Sequence, residues 1–243
     1  MSFVAKTDIG KIRVSNEDAC NTGAFTDGSY FAVVCDGMGG VSGGEIASDI
    51  VCKTVSGALE KGYREKMNHI SLKNLMESAI CTSNIKVNDF SKADVKYYGM
   101  GTTVVCAVVS NGYAVIAHVG DSRAYIIHKD GIEQITKDHS VVQYMVDNGV
   151  ITKEEARFHP KRNIITRAVG VDRDVEVDID FVGLSDGDRL LVCTDGLTGC
   201  VTDAEMLEIS QAVNDPENLC DELIKKALSG GGHDNITVAV AFC

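Results

Sequence analysis

TTVVCAVVSNGYAVIAHVGDSRAYIIHKDGIEQI, residues 102–135, reads as a series of apolar, strand-like runs punctuated by turn signals. Asn111-Gly112 separates TTVVCAVV from YAVIAHV, and Asp130-Gly131 separates AYIIH from IEQI. Each pair is a two-residue hairpin signal, because Asn, Asp and Gly tolerate the positive φ that such turns require. Strands joined by so short a turn must be antiparallel. Upstream, Asp27-Gly28 separates two further strand-like runs. Strands are also predicted over 175–181, where apolar and acidic residues alternate, over 188–193 and over 235–242. The runs 31–35, 103–109 and 190–193 are apolar at successive positions and therefore on both faces, so each sheet needs cover on two sides.

Helical signals supply that cover. Ser42-Gly43-Gly44-Glu45 has capping-box spacing, and Ile46, Ala47, Ile50, Val51, Val55, Ala58 and Leu59 follow at helical intervals. Leu72, Leu75, Met76, Ala79 and Ile80 form a second stripe. Thr202-Asp203-Ala204-Glu205 caps a third helix, and Asp215-Pro216 opens a fourth whose face is Leu219, Cys220, Leu223, Ile224 and Ala227. Two mainly antiparallel sheets packed face to face, with helix pairs outside, satisfy both patterns: an α+β fold, a four-layer α-β-β-α sandwich. Without a Pro-, Ser- or charge-rich linker, residues 1–243 are expected to form a single domain.

Composition narrows the function. Of 243 residues, 23 are Lys or Arg and 35 are Asp or Glu, a net charge of −12, which repels phosphate backbones and anionic lipid. With no Trp and few aromatics there is little for bases to stack on. No nucleic-acid or membrane partner is expected. No run reaches the roughly 18 apolar residues of a spanning helix, and MSFVAKTDIGKIRV lacks the apolar segment of a secretory signal, so the expected location is cytoplasmic. Nine cysteines, an odd number with no C-x-x-C pair, suit reduced thiols used as small hydrophobes.

The chemistry lies in aspartates that finish apolar strands. FAVVC runs into Asp36-Gly37, LLVCT into Asp195-Gly196 and IAHVG into Asp121, while Asp234 precedes the strand over 235–242. Asp-Gly is ordinary turn chemistry. After Asp36, however, a capped helix follows in place of a returning strand. Carboxylates brought to one place disfavour joint ionisation unless a cation joins them. Aspartate, backbone carbonyl and water are hard donors suited to Mn²⁺ or Mg²⁺, and no Cys or His pair has zinc spacing. A carboxylate bridging two such ions roughly 3.5–4 Å apart would hold a hydroxide poised to attack phosphorus. Gly37 lacks a Cβ, which lets its own carbonyl approach an ion. Arg13, in Arg13-Val14-Ser15-Asn16-Glu17-Asp18, offers a fork for phosphate. The glycines of 37–44 lack the Gly-Lys-Ser/Thr of a nucleotide loop.

Six motifs, RVSNED (13–18), VCDGMGG (34–40), GTT (101–103), VGDSRA (119–124), CTDGL (193–197) and GHDNIT (232–237), occur in an order and spacing that resemble the metal-dependent serine/threonine protein phosphatases of the 2C type, the PPM family, in its compact bacterial branch. The resemblance spans nearly the whole chain. It implies hydrolysis of phosphoserine and phosphothreonine in proteins by a metal-bridging hydroxide, without a phosphoenzyme. It implies that Asp36 bridges two Mn²⁺ or Mg²⁺ ions, that the Gly37 carbonyl completes one and that Asp195 and Asp234 bind the other. Asp121, with Asp195, matches the position of a third, weaker ion. Glu17 and Asp18 would orient metal-bound water, Arg13 would hold the substrate phosphate, and Asn235 would fix the carboxylate beside it. Met38 departs from the animal pattern, which has a histidine thought to protonate the leaving alkoxide; a water near Asp121 is the expected substitute. The six histidines carry a structural or surface reading. Residues 136–170, more basic than the remainder, resemble a flap beside the active site. Phosphorylated proteins, including a cognate Ser/Thr kinase, are the expected partners of a monomer. The alternative is a non-catalytic phosphoprotein-binding relative of the same fold, against which the retention of Asp36, Asp195 and Asp234 speaks.

Overall fold

The computed structural model describes residues 2–39 and 43–243; Ser42, the expected first helix cap, and Gly40 lie outside the described residues. In chain order the strands are β1 (Val4–Asp8), β2 (Asp18–Ala24), β3 (Tyr30–Met38), β4 (Gly101–Thr102), β5 (Val104–Ser110), β6 (Tyr113–Val119), β7 (Arg123–His128), β8 (Gly131–Gln134), β9 (Asp178–Gly183), β10 (Arg189–Cys193) and β11 (Ile236–Phe242). The helices are α1 (Gly43–Gly62), α2 (His69–Ala93), α3 (Val141–Asp147), α4 (Lys153–Phe158), α5 (Asp195–Thr198), α6 (Asp203–Ala212) and α7 (Pro216–Ser229).

One sheet runs β2-β3-β5-β6-β9, with β4 added beside the end of β3, and the other runs β1-β11-β10-β7-β8; the pairings are antiparallel. The double-sided strands behave as their patterns require. On β3 and β5, Phe31, Val33, Cys35, Val104, Cys106 and Val108 pack under α1 and α2, while Ala32, Val34, Val105 and Ala107 meet Leu190, Val192 and Ala239 of the opposite sheet. Leu191 and Cys193 turn outward onto Leu197, Met206, Leu219 and Leu223 of α5, α6 and α7. Layer order is therefore helices, sheet, sheet, helices, as expected. All nine cysteines are free thiols, five of them buried. No helix among the described residues is long and apolar enough to cross a membrane.

Several boundaries differ from the sequence reading. Asn111 and Gly112, both at positive φ, make the two-residue β5–β6 turn. In β7–β8 the pairing of His128 with Gly131 puts Lys129-Asp130 in the turn, one residue earlier than expected. Asp27-Gly28 sits inside a five-residue loop closed by a Phe25 N–H bond to Ser29 O, and Tyr63 reaches Asp27 from above. β9 starts at Asp178, three residues later than its alternation suggested, because only there does pairing with His118 begin. β1, which carries no clear alternation, is an unexpected edge strand held on β11. The caps at Thr202 and Asp215 form as their residues predict, and Thr152 caps α4 in the same way, with Thr-Glu capping boxes at Thr152 and Thr202.

Candidate active site

The predicted acids meet at one end of the two sheets. Antiparallel pairing explains why: β2 begins where β3 ends, with Asp18 opposite Asp36, and β10 ends where β11 begins, with Cys193 opposite Val238. Asp234 lies just before β11, and Asp195 opens the one-turn helix α5. Asp121 lies in the short passage Gly120–Ser122 by which the chain leaves one sheet, at β6, and enters the other, at β7. One expectation needs correcting: β3 does not end at Asp36. It continues through Asp36 and Gly37 to Met38, because Gly37 and Met38 pair with Thr102 and Gly101 of β4.

Neighbours remote in sequence hold Asp36 by its backbone and Asp18 and Asp234 by their carboxylates. The backbone of Asp36 is locked on both sides: its N–H donates to Thr103 Oγ1 at 3.0 Å, and its carbonyl accepts from Thr103 N at 2.9 Å and Thr102 Oγ1 at 2.8 Å. Asp18 Oδ2 accepts from Thr194 Oγ1 at 2.9 Å and Thr237 Oγ1 at 2.6 Å, while its Oδ1 is buried without a partner. Arg13 reaches into the cluster, Nη2 donating to Asp234 Oδ2 at 2.7 Å. Asn235 does more than attend its neighbouring carboxylate. Its backbone N–H donates to Asp234 Oδ1, but its side chain accepts from Glu17 N at 2.8 Å and donates to Ile9 O and Ser15 O, so it pins the loop that carries Arg13. The Thr194, Thr237 and Thr103 hydroxyls were not anticipated; their partners lie dozens to hundreds of residues away.

Electrostatics agree with the packing. Burial, then the charges of Asp18, Asp195, Asp121 and Asp234, push the Asp36 carboxyl well above its ordinary range. Asp195 is raised by burial and by Asp234, an effect softened by a hydrogen bond shared with Asp36. Asp121 is raised well above its range by burial, Asp195 and Asp138. Asp18 is pushed up to about 7, mainly by burial, against the pull of its two threonine hydroxyls. Glu17 is raised by burial. The Arg13 guanidinium shifts upward, chiefly through its bond to Asp234. Six crowded carboxyls, Glu17, Asp18, Asp36, Asp121, Asp195 and Asp234, face only Arg13 and, at Asp121 and Asp195, Arg123, so the site is short of positive charge.

That donor set fits divalent cations: hard oxygens only, mutual repulsion a cation would relieve, and one buried oxygen, Asp18 Oδ1, left unpaired. A different trio, His118, His139 and Asp178, is the group among the described residues whose ligand atoms all fall within 4.8 Å of one another. It makes a poor ion site, since Arg167 Nη1 already lies 2.6 Å from Asp178 Oδ1 and 3.0 Å from His139 Nε2. Grooves of about 620 Å³ beside α2 and β9, and about 290 Å³ near Asp27 and Cys243, contain none of these acids.

Gly37 has a steric reason besides the one expected. A Cβ there would run into the carbonyl oxygens of Gly44 and Glu17, at the seam between α1 and the loop before β2. We expect Gly37→Ala to lower the melting temperature by about 2–12 °C, since overpacking of this kind costs roughly 1–3 kcal/mol and each kcal/mol is about 2–4 °C in a chain this long. Differential scanning calorimetry checks it.

The model of the family described as protein phosphatase 2C matches residues 13–221. The chain belongs to the protein phosphatase 2C family. The family is metal-dependent, and this chain has relatives among bacterial enzymes. It is 40% identical to the serine/threonine phosphatase stp of Listeria innocua over 96% of this chain and 92% of that protein. It is 33% identical to the protein phosphatase PhpP of Streptococcus pneumoniae, over 99% and 96%. The crystal structure of serine/threonine phosphatase Stp1 from Staphylococcus aureus superposes with a TM-score of 0.92 at 37% identity, over 99% of this chain and 94% of that one. The α+β sandwich is thus the fold of this phosphatase family.

Proposed function

We propose that this member of the protein phosphatase 2C family hydrolyses phosphoserine and phosphothreonine esters in proteins, using Mn²⁺ or Mg²⁺ held by its own carboxylates. The observation that carries the reading is the meeting of Asp18, Asp36, Asp121, Asp195 and Asp234 at one end of the sandwich, where burial and neighbouring carboxylates raise Asp18, Asp36, Asp121 and Asp195, with Arg13 beside them. Asp36, the Gly37 carbonyl, Asp195 and Asp234 would hold two core ions, and Asp121 with Asp195 a third, weaker one. Such ions supply charge for the phosphoryl oxygens and a water acidic enough to be a nucleophile near neutral pH. The chain's own groups do the rest. Glu17 and Asp18 stand behind the ligands as acceptors that orient water. Arg13 spends one donor on Asp234 and keeps others of its planar fork for phosphate. Met38 cannot give a proton to the departing seryl or threonyl oxygen, so that proton comes from water on the Asp121 side.

Residues 136–170 carry six basic and four acidic side chains in an otherwise acidic chain, a composition that suits a flap over a phosphorylated segment. A cytoplasmic monomer that reverses a Ser/Thr kinase completes the proposal. Release of inorganic phosphate from a phosphothreonine peptide tests it. Turnover is expected with Mn²⁺ and none in EDTA; turnover unaffected by EDTA defeats the reading.

A further inference from the structure

Segment 136–170 leaves the sandwich and returns to it through a narrow neck, where Ser140 bridges Ile165, Val141 N–H donates to Ile164 O and Thr166 N–H donates to His139 O at 2.7 Å. His139 stands in that neck, 9% exposed. It holds both polar groups of Gly120: its backbone N–H donates to Gly120 O at 2.9 Å, and Gly120 N–H donates to its Nδ1 at 3.0 Å. Gly120 lies at φ +106°, and a Cβ there would strike Thr103, so this residue has no side chain with which to anchor itself. The next residue is Asp121, also 9% exposed.

The contact fixes the state of the ring. Nδ1 accepts a hydrogen bond from the Gly120 N–H, so the imidazole proton belongs on Nε2, which faces Asp178 Oδ2 at 3.2 Å. Arg167 Nη1 donates to the other oxygen of that carboxylate at 2.6 Å, keeping Asp178 ionised and in place; it also lies 3.0 Å from His139 Nε2, and because a guanidinium only donates, a proton on Nε2 leaves Nη1 bonded to the carboxylate and not to the ring. His118 stacks on the ring with centroids 4.8 Å apart, and its own Nε2 meets Lys137 O. Burial holds His139 below the usual imidazole range, which preserves Nδ1 as an acceptor.

We propose that His139 is a positioning residue for Asp121: neutral and protonated on Nε2, it clamps Gly120 and so sets where the Asp121 carboxylate can meet a divalent cation. The inference rests on the reading of Asp121 as an ion ligand. Its logic is that of groups behind metal ligands, whose loss costs roughly 10–100-fold in affinity. Because the same residue ties the neck of segment 136–170, Asp121 and that segment share one anchor.

Calorimetric titration of the full chain with Mn²⁺ tests this. In His139→Gln the amide sits where Nε2 was and Gly120 loses its acceptor; the weakest ion is expected to bind about 10-fold less tightly, with the tighter ions unchanged. In His139→Asn the amide falls where Nδ1 was, and affinity is expected to return to within about 3-fold of the unsubstituted protein. Wild-type affinity for the weak ion in His139→Gln, equal weakening at all ions, or no recovery in His139→Asn would overturn the proposal. If His139→Gln does not fold, ¹H–¹⁵N long-range spectra of the unsubstituted, ¹⁵N-histidine-labelled protein decide: a proton on Nε2 supports the clamp, and one on Nδ1 overturns it. Should the unsubstituted protein bind only its tight ions, the assignment of Asp121 falls and the proposal with it, while the phosphatase reading stands on the peptide assay.

Discussion

Asp36→Asn lowers phosphopeptide turnover by about 10³-fold or more and, in EDTA, raises the melting temperature. The two signs come from one cause. In the metal-free protein Asp36 is buried among Asp18, Asp195, Asp121 and Asp234, so its charge is unfavourable and its carboxyl titrates well above the ordinary range. Asparagine keeps the shape and removes the charge. Its backbone anchors, Thr102 and Thr103, are untouched, so the fold has no reason to suffer. The loss of activity follows from the same removal: metal-assisted phosphoryl hydrolysis takes several kcal/mol from the ions that a bridging carboxylate holds, and about 4 kcal/mol is 10³-fold in rate. Phosphate release with Mn²⁺ and a thermal melt in EDTA are the two measurements. A variant less stable than the unsubstituted protein in EDTA would mean that Asp36 is a structural acid, and retained turnover would remove it from the site.

Much of the sandwich was legible because its signals are local. A strand apolar at consecutive positions must be covered twice, and Phe31-Ala32-Val33-Val34-Cys35 divides its side chains between helices and opposite sheet as that rule requires. Caps such as Thr202-Asp203-Ala204-Glu205 lie within one turn and are read directly. What escaped depended on partners far away. β1 is a strand only because β11 lies beside it, and β3 runs past Asp36 only because β4 pairs with its end.

The site divides the same way. Asp36, Asp121, Asp195 and Asp234 were conspicuous as acids beside apolar strands, and the family resemblance assigned them roles. The groups that orient them were not conspicuous. Thr194 and Thr237 reach Asp18 across 176 and 219 residues of chain, and no local pattern marks a threonine that will do so. The resemblance assigned Asn235 to its neighbouring carboxylate, which its backbone N–H does bond, but no local pattern shows that its amide spans to Ile9, Ser15 and Glu17. His139 received an ordinary structural reading, since its partners Gly120 and Asp178 become neighbours only when β6, β9 and the neck of segment 136–170 assemble.

The second large effect is an inversion of the pH dependence of stability by metal. Asp18 titrates near 7 in the folded chain, and Asp36, Asp121 and Asp195 are raised as well. Unfolded, these carboxyls return to about 3.9. Between those values the folded state binds more protons than the unfolded one, so stability falls as pH rises through the window. The metal-free protein is therefore expected to melt higher at pH 5 than at pH 7.5, by several degrees for a chain of this length. One group opposes this: His139, held neutral by burial, favours the folded state less as pH drops below the ordinary imidazole range. A single histidine stands against four carboxyls, and surface acids with lowered values, such as Glu205 at about 2, matter only below the window. With saturating Mn²⁺ the order reverses, because protons now compete with the cation for the same oxygens and binding adds stability only to the folded chain. Melting curves at the two pH values, with EDTA and with Mn²⁺, should cross in sign. Asp36→Asn isolates the cause, since it leaves His139 in place and should flatten the EDTA slope; an EDTA slope of the opposite sign in the unsubstituted protein would show that the acids do not share a site.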